Sequence, residues 1–313
     1  MMTLAEKIER LANRELRYVS CDMHLDLNGK FLELPIQVGD DIVEGVLCNR
    51  YQGNGYLVAA SPQVGCPVGC KFCDMSDIGY HGNLSGEIIL EQVALVLNRA
   101  RRFGYEITKK PLKISFVKGG EGLLNREFPH GLELIAENLP VPMKVSTTFP
   151  DSKVAHEVYG RIEKFTSGYC ETVQMQISLI STDKGYRQGM TRMPLISFDG
   201  LREYAESWQK NVKNPRKFTL SFTLNEKTPC NPEEIYDKLP PELFAVRIRN
   251  WLPTIPGLKE GLLKPEEKTA IDIANRFRDF GYTLIPGKPG ATESKFNLAA
   301  GHIIKMYKGL MKR

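Results

Sequence analysis

The chain reads as an α/β protein: a partial (βα)6 barrel carrying a small N-terminal helix and β-meander extension. Three observations predict this. Strand-like runs alternate with helical ones from residue 86 to the C-terminal end of the 313 residues. Such alternation implies a parallel sheet with right-handed crossovers. About six units can be counted, too few for a closed eight-unit barrel, and the unusual residues all fall where strands end, which is the face on which such barrels do chemistry.

The elements follow in order. "MMTLAEKIERLANREL" has the charge pattern of an amphipathic helix and no signal-peptide core. Residues 19 to 60 alternate short apolar runs ("HLDLNGKFLELPI", "DDIVEGVLCNR", "GYLVAAS") with turn signals at Asn28-Gly29, Gly39-Asp40 and Gly53-Asn54-Gly55. They predict an antiparallel meander, so residues 1–60 form an extension and residues 61–313 the core. "LEQVALVLNRARRF" places Val93, Val96, Leu97, Ala100 and Phe103 at helical spacing. Strands are then expected at 112–117, 143–149, 172–180, 217–224 and 243–251, with helices between them. A last strand at "YTLIP" precedes a C-terminal helix from about residue 297.

Composition narrows the class. Hydrophobic content of 42% and charged content of 25% are ordinary for a soluble globular protein. No apolar run approaches the roughly 18 to 20 residues of a membrane span, so a cytoplasmic protein without a membrane partner is expected. The formal charge of +5 permits an RNA, nucleotide or acidic partner without requiring one.

Seven cysteines, three of them within eight residues, argue for thiolate or metal chemistry in a reducing compartment. Cys66, Cys70 and Cys73 stand as C-x3-C-x2-C in the loop after the first core strand, with Phe72 beside the last. A structural zinc site would want four ligands, usually as two Cys/His pairs, and no second Cys pair exists. Three thiolates suit an iron–sulfur cubane with one iron left open.

This motif resembles the signature of the radical S-adenosylmethionine (radical SAM) superfamily. The wider stretch is similar to the RlmN/Cfr family of adenine methylases acting on ribosomal RNA, through "SPQVGCPVGCKFC", "DIGYHGNLSGEI", "KGGEGLLN", "KVSTT", "ISLISTDKGYRQGMTRMP" and "NWLPTIPG". The resemblance implies a 4Fe–4S cluster whose open iron binds the amino and carboxylate groups of SAM. It also implies a reducing electron donor such as flavodoxin or ferredoxin, and cleavage of SAM to methionine and a 5′-deoxyadenosyl radical that takes hydrogen from a substrate.

Other residues fit that frame. Gly119 and Gly120 let backbone approach a ligand, or form an ordinary turn. Glu121 can accept from an α-ammonium. Ser146 and Ser178 end strands, where hydroxyls suit ribose or carboxylate, as ligand-free strand ends also carry them. Arg187 resembles the family's basic residue near the SAM carboxylate, with a surface salt bridge as its alternative. Asn250 is placed to meet adenine or ribose, although the family pattern there is offset by one residue.

The family's methyl relay needs two further cysteines. The resemblance puts them at Phe296, shortly before Ala300-Gly301, and at Ala59, seven residues before Cys66; neither carries a thiol. Cys230, after the fifth strand, is the remaining candidate for substrate contact or hydrogen donation, its alternative being a small apolar loop residue. The expectation is a radical SAM enzyme abstracting hydrogen from a small-molecule, nucleotide or peptide substrate. Two alternatives stand beside it: an RNA-modifying enzyme working without the shuttle cysteine, and a non-catalytic Fe–S sensor or binding protein.

Overall fold

A computed structural model of the chain describes residues 2–27, 31–49, 54–287 and 299–311. Its elements run α1 (Leu4–Ala12), β1 (Leu25–Asp26), β2 (Phe31–Val38), β3 (Asp41–Asn49), β4 (Tyr56–Ala59), β5 (Gln63–Gly65), α2 (Met75–Ile78), β6 (Tyr80–Asn83), α3 (Gly86–Arg102), β7 (Leu112–Phe116) and α4 (Phe128–Asn138). They continue as β8 (Met143–Thr147), α5 (Lys153–Gly168), β9 (Val173–Ser178), α6 (Lys184–Gly189), α7 (Phe198–Asn211), β10 (Phe218–Leu224) and β11 (Phe244–Asn250). The chain then forms α8 (Ile255–Lys259), α9 (Glu267–Asp279), β12 (Thr283–Leu284) and α10 (His302–Met311).

One ten-stranded sheet has the order β1-β2-β3-β4-β7-β8-β9-β10-β11-β12. The first four strands pair antiparallel, and every pairing from β4 onward is parallel. The α/β partial barrel is therefore present, with six main parallel strands and a two-residue seventh at its edge. The meander joins it without a break, because β3 pairs with β4 through Val46–Ala59 to Asn49–Tyr56. A local surprise is the β5–β6 pairing, a two-stranded antiparallel sheet that returns the cysteine loop to its starting point.

Helix starts follow the side chains. Thr3 and Glu6 form a reciprocal capping box on α1, and the hydroxyls of Ser85, Ser152 and Ser197 cap α3, α5 and α7. The expected short helix over 232–239 is a single 3-10 turn at Pro232–Glu234. Three acidic residues within that stretch, with Pro240 and Pro241 directly after it, leave little to propagate a helix.

Strand alternation divides the sheet into two faces. Ile114, Phe116, Met143, Val145, Met175, Ile177, Leu220, Phe222, Phe244 and Val246 are buried in the main core beneath the helices. From β7 to β11 the intervening residues face the barrel interior, and apart from Ala245 they are polar: Lys113, Ser115, Lys144, Ser146, Gln174, Gln176, Ser178, Thr219, Ser221, Thr223, Arg247 and Arg249. Among the described residues no helix is long and apolar enough to cross a membrane.

Candidate active site

The cysteine loop is shaped by backbone that only glycine supplies. Gly65 has φ +72°, and a Cβ there would lie 1.7 Å from the Gly79 carbonyl oxygen. This contact brings β5 and β6 together, and the Cys66 N–H donates to the same carbonyl at 2.9 Å. Gly69, at φ +64°, leaves room for Arg192. The loop is clamped across the barrel: Lys71 N–H donates to the Met190 carbonyl and Arg192 N–H to that of Val68. The Phe72 carbonyl accepts from Trp251 Nε1 at 3.1 Å and Thr254 Oγ1 at 3.0 Å.

The second strand end is equally determined. Ser61 Oγ accepts from Gly119 N–H at 3.0 Å, and Gln63 Oε1 accepts from Glu121 N–H at 2.7 Å. Gly120 (φ +101°) passes so close to Gln63 that a Cβ would meet its side chain at 2.6 Å. Buried Glu121 accepts from Leu123 N–H at 3.1 Å and, on its other oxygen, from Thr148 N–H at 2.8 Å and Thr148 Oγ1 at 2.9 Å. Burial pushes its carboxyl upward, and these donors oppose the shift. Beyond β8 and β9, Phe149 (φ 56°) and Ile180 (φ 72°) hold left-handed backbone that non-glycine residues rarely adopt. Strain of this kind gathers around functional sites.

These elements surround one cavity of about 280 Å³. Cys66, Cys70, Cys73 and Phe72 line one wall; Gly120, Glu121, Ser146, Ser178, Asn250 and Trp251 line the rest. Gly119 sits behind this lining, against Ser61 and Met75. A larger apolar cavity of about 830 Å³ lies between α9 and strands β11 and β12, and no cysteine lines it.

The residues fit an iron–sulfur cluster with an amino-acid-bearing ligand beside it. Cys66, Cys70 and Cys73 share one wall of the cavity. Burial pushes the Cys66 thiol up to about 12 and Cys73 to about 11, and raises Cys70 strongly, with neighbouring thiolates adding to the rise at Cys66 and Cys70. Three anions in that position require cationic metal to hold them deprotonated. Asn250, which ends β11, lines both this cavity and the larger one, and its Oδ1 is buried without a hydrogen-bond partner among the described residues.

Several expected residues lie elsewhere. Arg187 does not line the cavity: its Nη1 donates to the Ile196 carbonyl and its guanidinium lies 5.5 Å from the Phe198 ring centroid. Burial lowers that guanidinium to about 10. Cys230 is 4% exposed within the main hydrophobic core, and burial raises its thiol. After β10 the loop is tied down at the Pro229 carbonyl, which accepts from Ser181 Oγ at 2.6 Å and Thr182 N–H at 3.3 Å, and the next side chain, Cys230, packs in the core. Ala59 is buried with Phe31 and Val46 on the interior side of the sheet. Phe296 lies outside the described residues.

Sequence reading missed a buried acid pair. Glu33 and Glu44, both 0% exposed, sit on adjacent strands of the meander. Lys118 Nζ pairs with Glu33 Oε1 at 2.8 Å, and Glu44 Oε1 accepts from Gly301 N–H at 2.7 Å. Burial lifts the Glu44 carboxyl to about 7, against the pull of Lys118. Acids on interior positions of strands that otherwise read as apolar were the available signal.

No family model matches the chain. The dual-specificity RNA methyltransferase RlmN of Marinomonas sp. (strain MWYL1) is 23% identical over 290 residues, covering 90% of this chain and 75% of that protein. A probable RNA methyltransferase of Stutzerimonas stutzeri (strain A1501) is 30% identical over 253 residues, 79% of this chain and 67% of that protein. A probable RlmN of Chlorobaculum tepidum is 28% identical over 203 residues, and only 50% of its own length is spanned. The crystal structure of a radical SAM methyltransferase from Sphaerobacter thermophilus shares the fold, with a TM-score of 0.72 at 19% identity over 94% of this chain and 83% of that one. An open parallel barrel with three cysteines on its strand-end rim, in this company, defines an enzyme of the radical SAM class. More particularly, the chain belongs to the RlmN/Cfr-like family of radical SAM methyltransferases.

Proposed function

We propose that this protein is a cytoplasmic radical SAM enzyme that cleaves S-adenosylmethionine reductively and abstracts hydrogen from a substrate bound inside the barrel, without a cysteine-borne methyl relay. The supporting observation is a contrast within one site. The three thiols, Gly120-Glu121, Ser146, Ser178 and Asn250 share a cavity, while the relay position on β4 is Ala59, buried in an apolar cluster.

Cys66, Cys70 and Cys73 would hold a 4Fe–4S cluster, and its electron would come from a donor of the flavodoxin or ferredoxin class. When bound, cluster and SAM supply one-electron cleavage of a sulfonium C–S bond and a carbon radical that takes hydrogen from substrate. The remaining work belongs to the chain. Gly120 would bring backbone close to the ligand while Gly119, behind it, is held by Ser61 Oγ, and Glu121 has acceptor capacity left for an ammonium after its three internal bonds. Ser146, Ser178 and Asn250 present hydroxyl and amide groups to ribose and adenine. Phe72 and Trp251 close one wall against water, which protects a reactive carbon radical. Residues 61–313 form the catalytic core, and residues 1–60 contribute Glu33 and Glu44 to its flank.

The test is anaerobic: iron- and sulfide-reconstituted protein, reduced by dithionite, is given SAM and assayed for 5′-deoxyadenosine. Production is expected, and its loss in Cys66→Ala, Cys70→Ala and Cys73→Ala. A wild-type protein that binds a cluster yet forms no 5′-deoxyadenosine would support a sensor instead. The names of the relatives favour a second reading, in which the substrate is RNA. Transfer of label from methyl-labelled SAM to RNA by this protein alone would establish that reading and refute the relay-free one.

A further inference from the structure

The cysteine loop meets two flanks of the molecule, and they differ in charge. On the side of α2 and β6 stand Asp41, Asp74 and Asp77, against one lysine and one histidine. Lys305 pairs with Asp74 at 2.6 Å and Asp77 at 2.8 Å, and His81 with Asp41 at 2.8 Å. The other flank is made by residues 190–197, after α6, and by α8. Both are tied to the loop by the Lys71–Met190 and Arg192–Val68 backbone bonds and by the donors from Trp251 and Thr254 to the Phe72 carbonyl. Residues 190–197 and 255–261 hold Arg192, Lys259 and one acid, Glu260. Glu260 pairs with Lys71 at 3.4 Å, and Lys71 is the one exposed residue between Cys66 and Cys73. Among the described residues no carboxylate pairs with Arg192 or Lys259, both of which are exposed.

The second flank also shows apolar surface. Ile255 is 54% exposed and Leu258 55%, and their spacing of three puts them on one face of α8. The inner side of this helix is fixed: Pro256 and Gly257 are buried, and a Cβ on Gly257 would collide with the Trp251 ring. Leu262, just beyond, packs with Trp251, Ile180, Met190 and Leu195, and Phe72 lies against the same cluster. The outward Ile and Leu are thus carried on a small core that includes the neighbour of Cys73. An apolar centre with a charged margin is the anatomy of a protein interface.

Position and charge together say what fits there. Reductive cleavage needs an electron from outside, and electron transfer decays steeply with distance, so its carrier must come up against the cysteine loop. An acidic carrier meets three carboxylates on the α2–β6 flank, and three cations with one carboxylate on the α8 flank. Complementary charge steers encounter and like charge suppresses it.

We propose that the outer face of α8, with Lys71 and Arg192 beside it, is the docking surface for the electron donor, a small acidic one-electron carrier protein. Ile255 and Leu258 form the apolar centre of the contact, and Lys71, Arg192 and Lys259 its basic margin. One electron leaves the reduced carrier and one enters the site held by Cys66, Cys70 and Cys73; no atom moves with it, and the carrier departs oxidised by one electron. This rests on the reductive cleavage proposed above and adds the face through which the electron enters.

The test uses the reconstituted full chain with two probes, a flavodoxin and a 2Fe–2S ferredoxin, each titrated by calorimetry at low and high salt. At least one is expected to bind, more weakly as salt rises. Leu258→Ser and Lys259→Glu should each weaken that binding roughly tenfold, the order expected for one apolar side chain or one complementary charge lost. Ile271→Ser, which replaces an equally exposed isoleucine on α9, should leave it unchanged. Formation of 5′-deoxyadenosine driven by the carrier should fall with binding, while formation driven by dithionite stays at the wild-type level. Should Leu258→Ser lose stability by circular dichroism, Lys259→Glu carries the comparison. Binding indifferent to both substitutions, or an equal loss with dithionite, would overturn the docking surface. A protein that cleaves SAM with dithionite but binds neither carrier refutes this surface alone. One that binds a carrier through this face but forms no 5′-deoxyadenosine with dithionite refutes only the radical chemistry.

Discussion

The rim and the floor of the barrel are built on different principles. The rim, from Cys66 to Trp251, is held by backbone: glycines that admit close approach and carbonyl and amide bonds that lock loop to loop. Its chemistry depends on where thiols and main-chain groups lie, so its sequence is a dense motif. The floor is held by side chains on regular strands, and its character comes from the sum of four cations and two glutamines.

The largest expected effect breaks the rim. Replacing any of Cys66, Cys70 or Cys73 by Ala should abolish both the iron–sulfur absorbance and 5′-deoxyadenosine formation, and residual cleavage would remove the thiols from the site. Gly65→Ala comes next. Its Cβ meets the Gly79 oxygen at 1.7 Å, so about 3 kcal/mol or more of stability should be lost in urea titration, with the cluster bound poorly. A variant as stable as wild type would show that the β5–β6 closure is not needed.

The floor should respond to pH instead. The folded Lys144 ammonium, at about 7, lies below its ordinary value of 10.5, so between those values the unfolded chain binds the extra proton. Stability of the wild type relative to Lys144→Met should therefore rise from pH 7 toward 10.5. A flat difference over that window would mean that another anion already compensates Lys144. The smallest effect belongs to the core beside both regions: Cys230→Ala should cost about 1 kcal/mol in thermal melts and leave SAM cleavage intact. Loss of cleavage at unchanged stability would return that thiol to the chemistry.

Much of the rim was legible beforehand, for a physical reason. Cys66, Cys70 and Cys73 are close in sequence, as are Gly120 and Glu121, and a loop of fixed spacing carries its geometry with it. Ser146, Ser178 and Asn250 line one cavity because strand ends on one side of a parallel sheet converge. Arg187 and Cys230 follow β9 and β10 in the chain, yet which way a loop side chain turns depends on packing. Arg187 turns onto Phe198 and Cys230 into the core.

The sequence alone determined the alternation of strands and helices, the open parallel barrel and the thiol triad, because periodicity and short spacings are local properties. Only the tertiary structure decided that Lys113, Lys144, Arg247 and Arg249 share one interior, and that Lys118 faces Glu33 on a meander strand 85 residues away in the chain. Each of those residues reads singly as an ordinary polar position in a strand. Curving the sheet brings them together, and only then does the charge of one depend on the others.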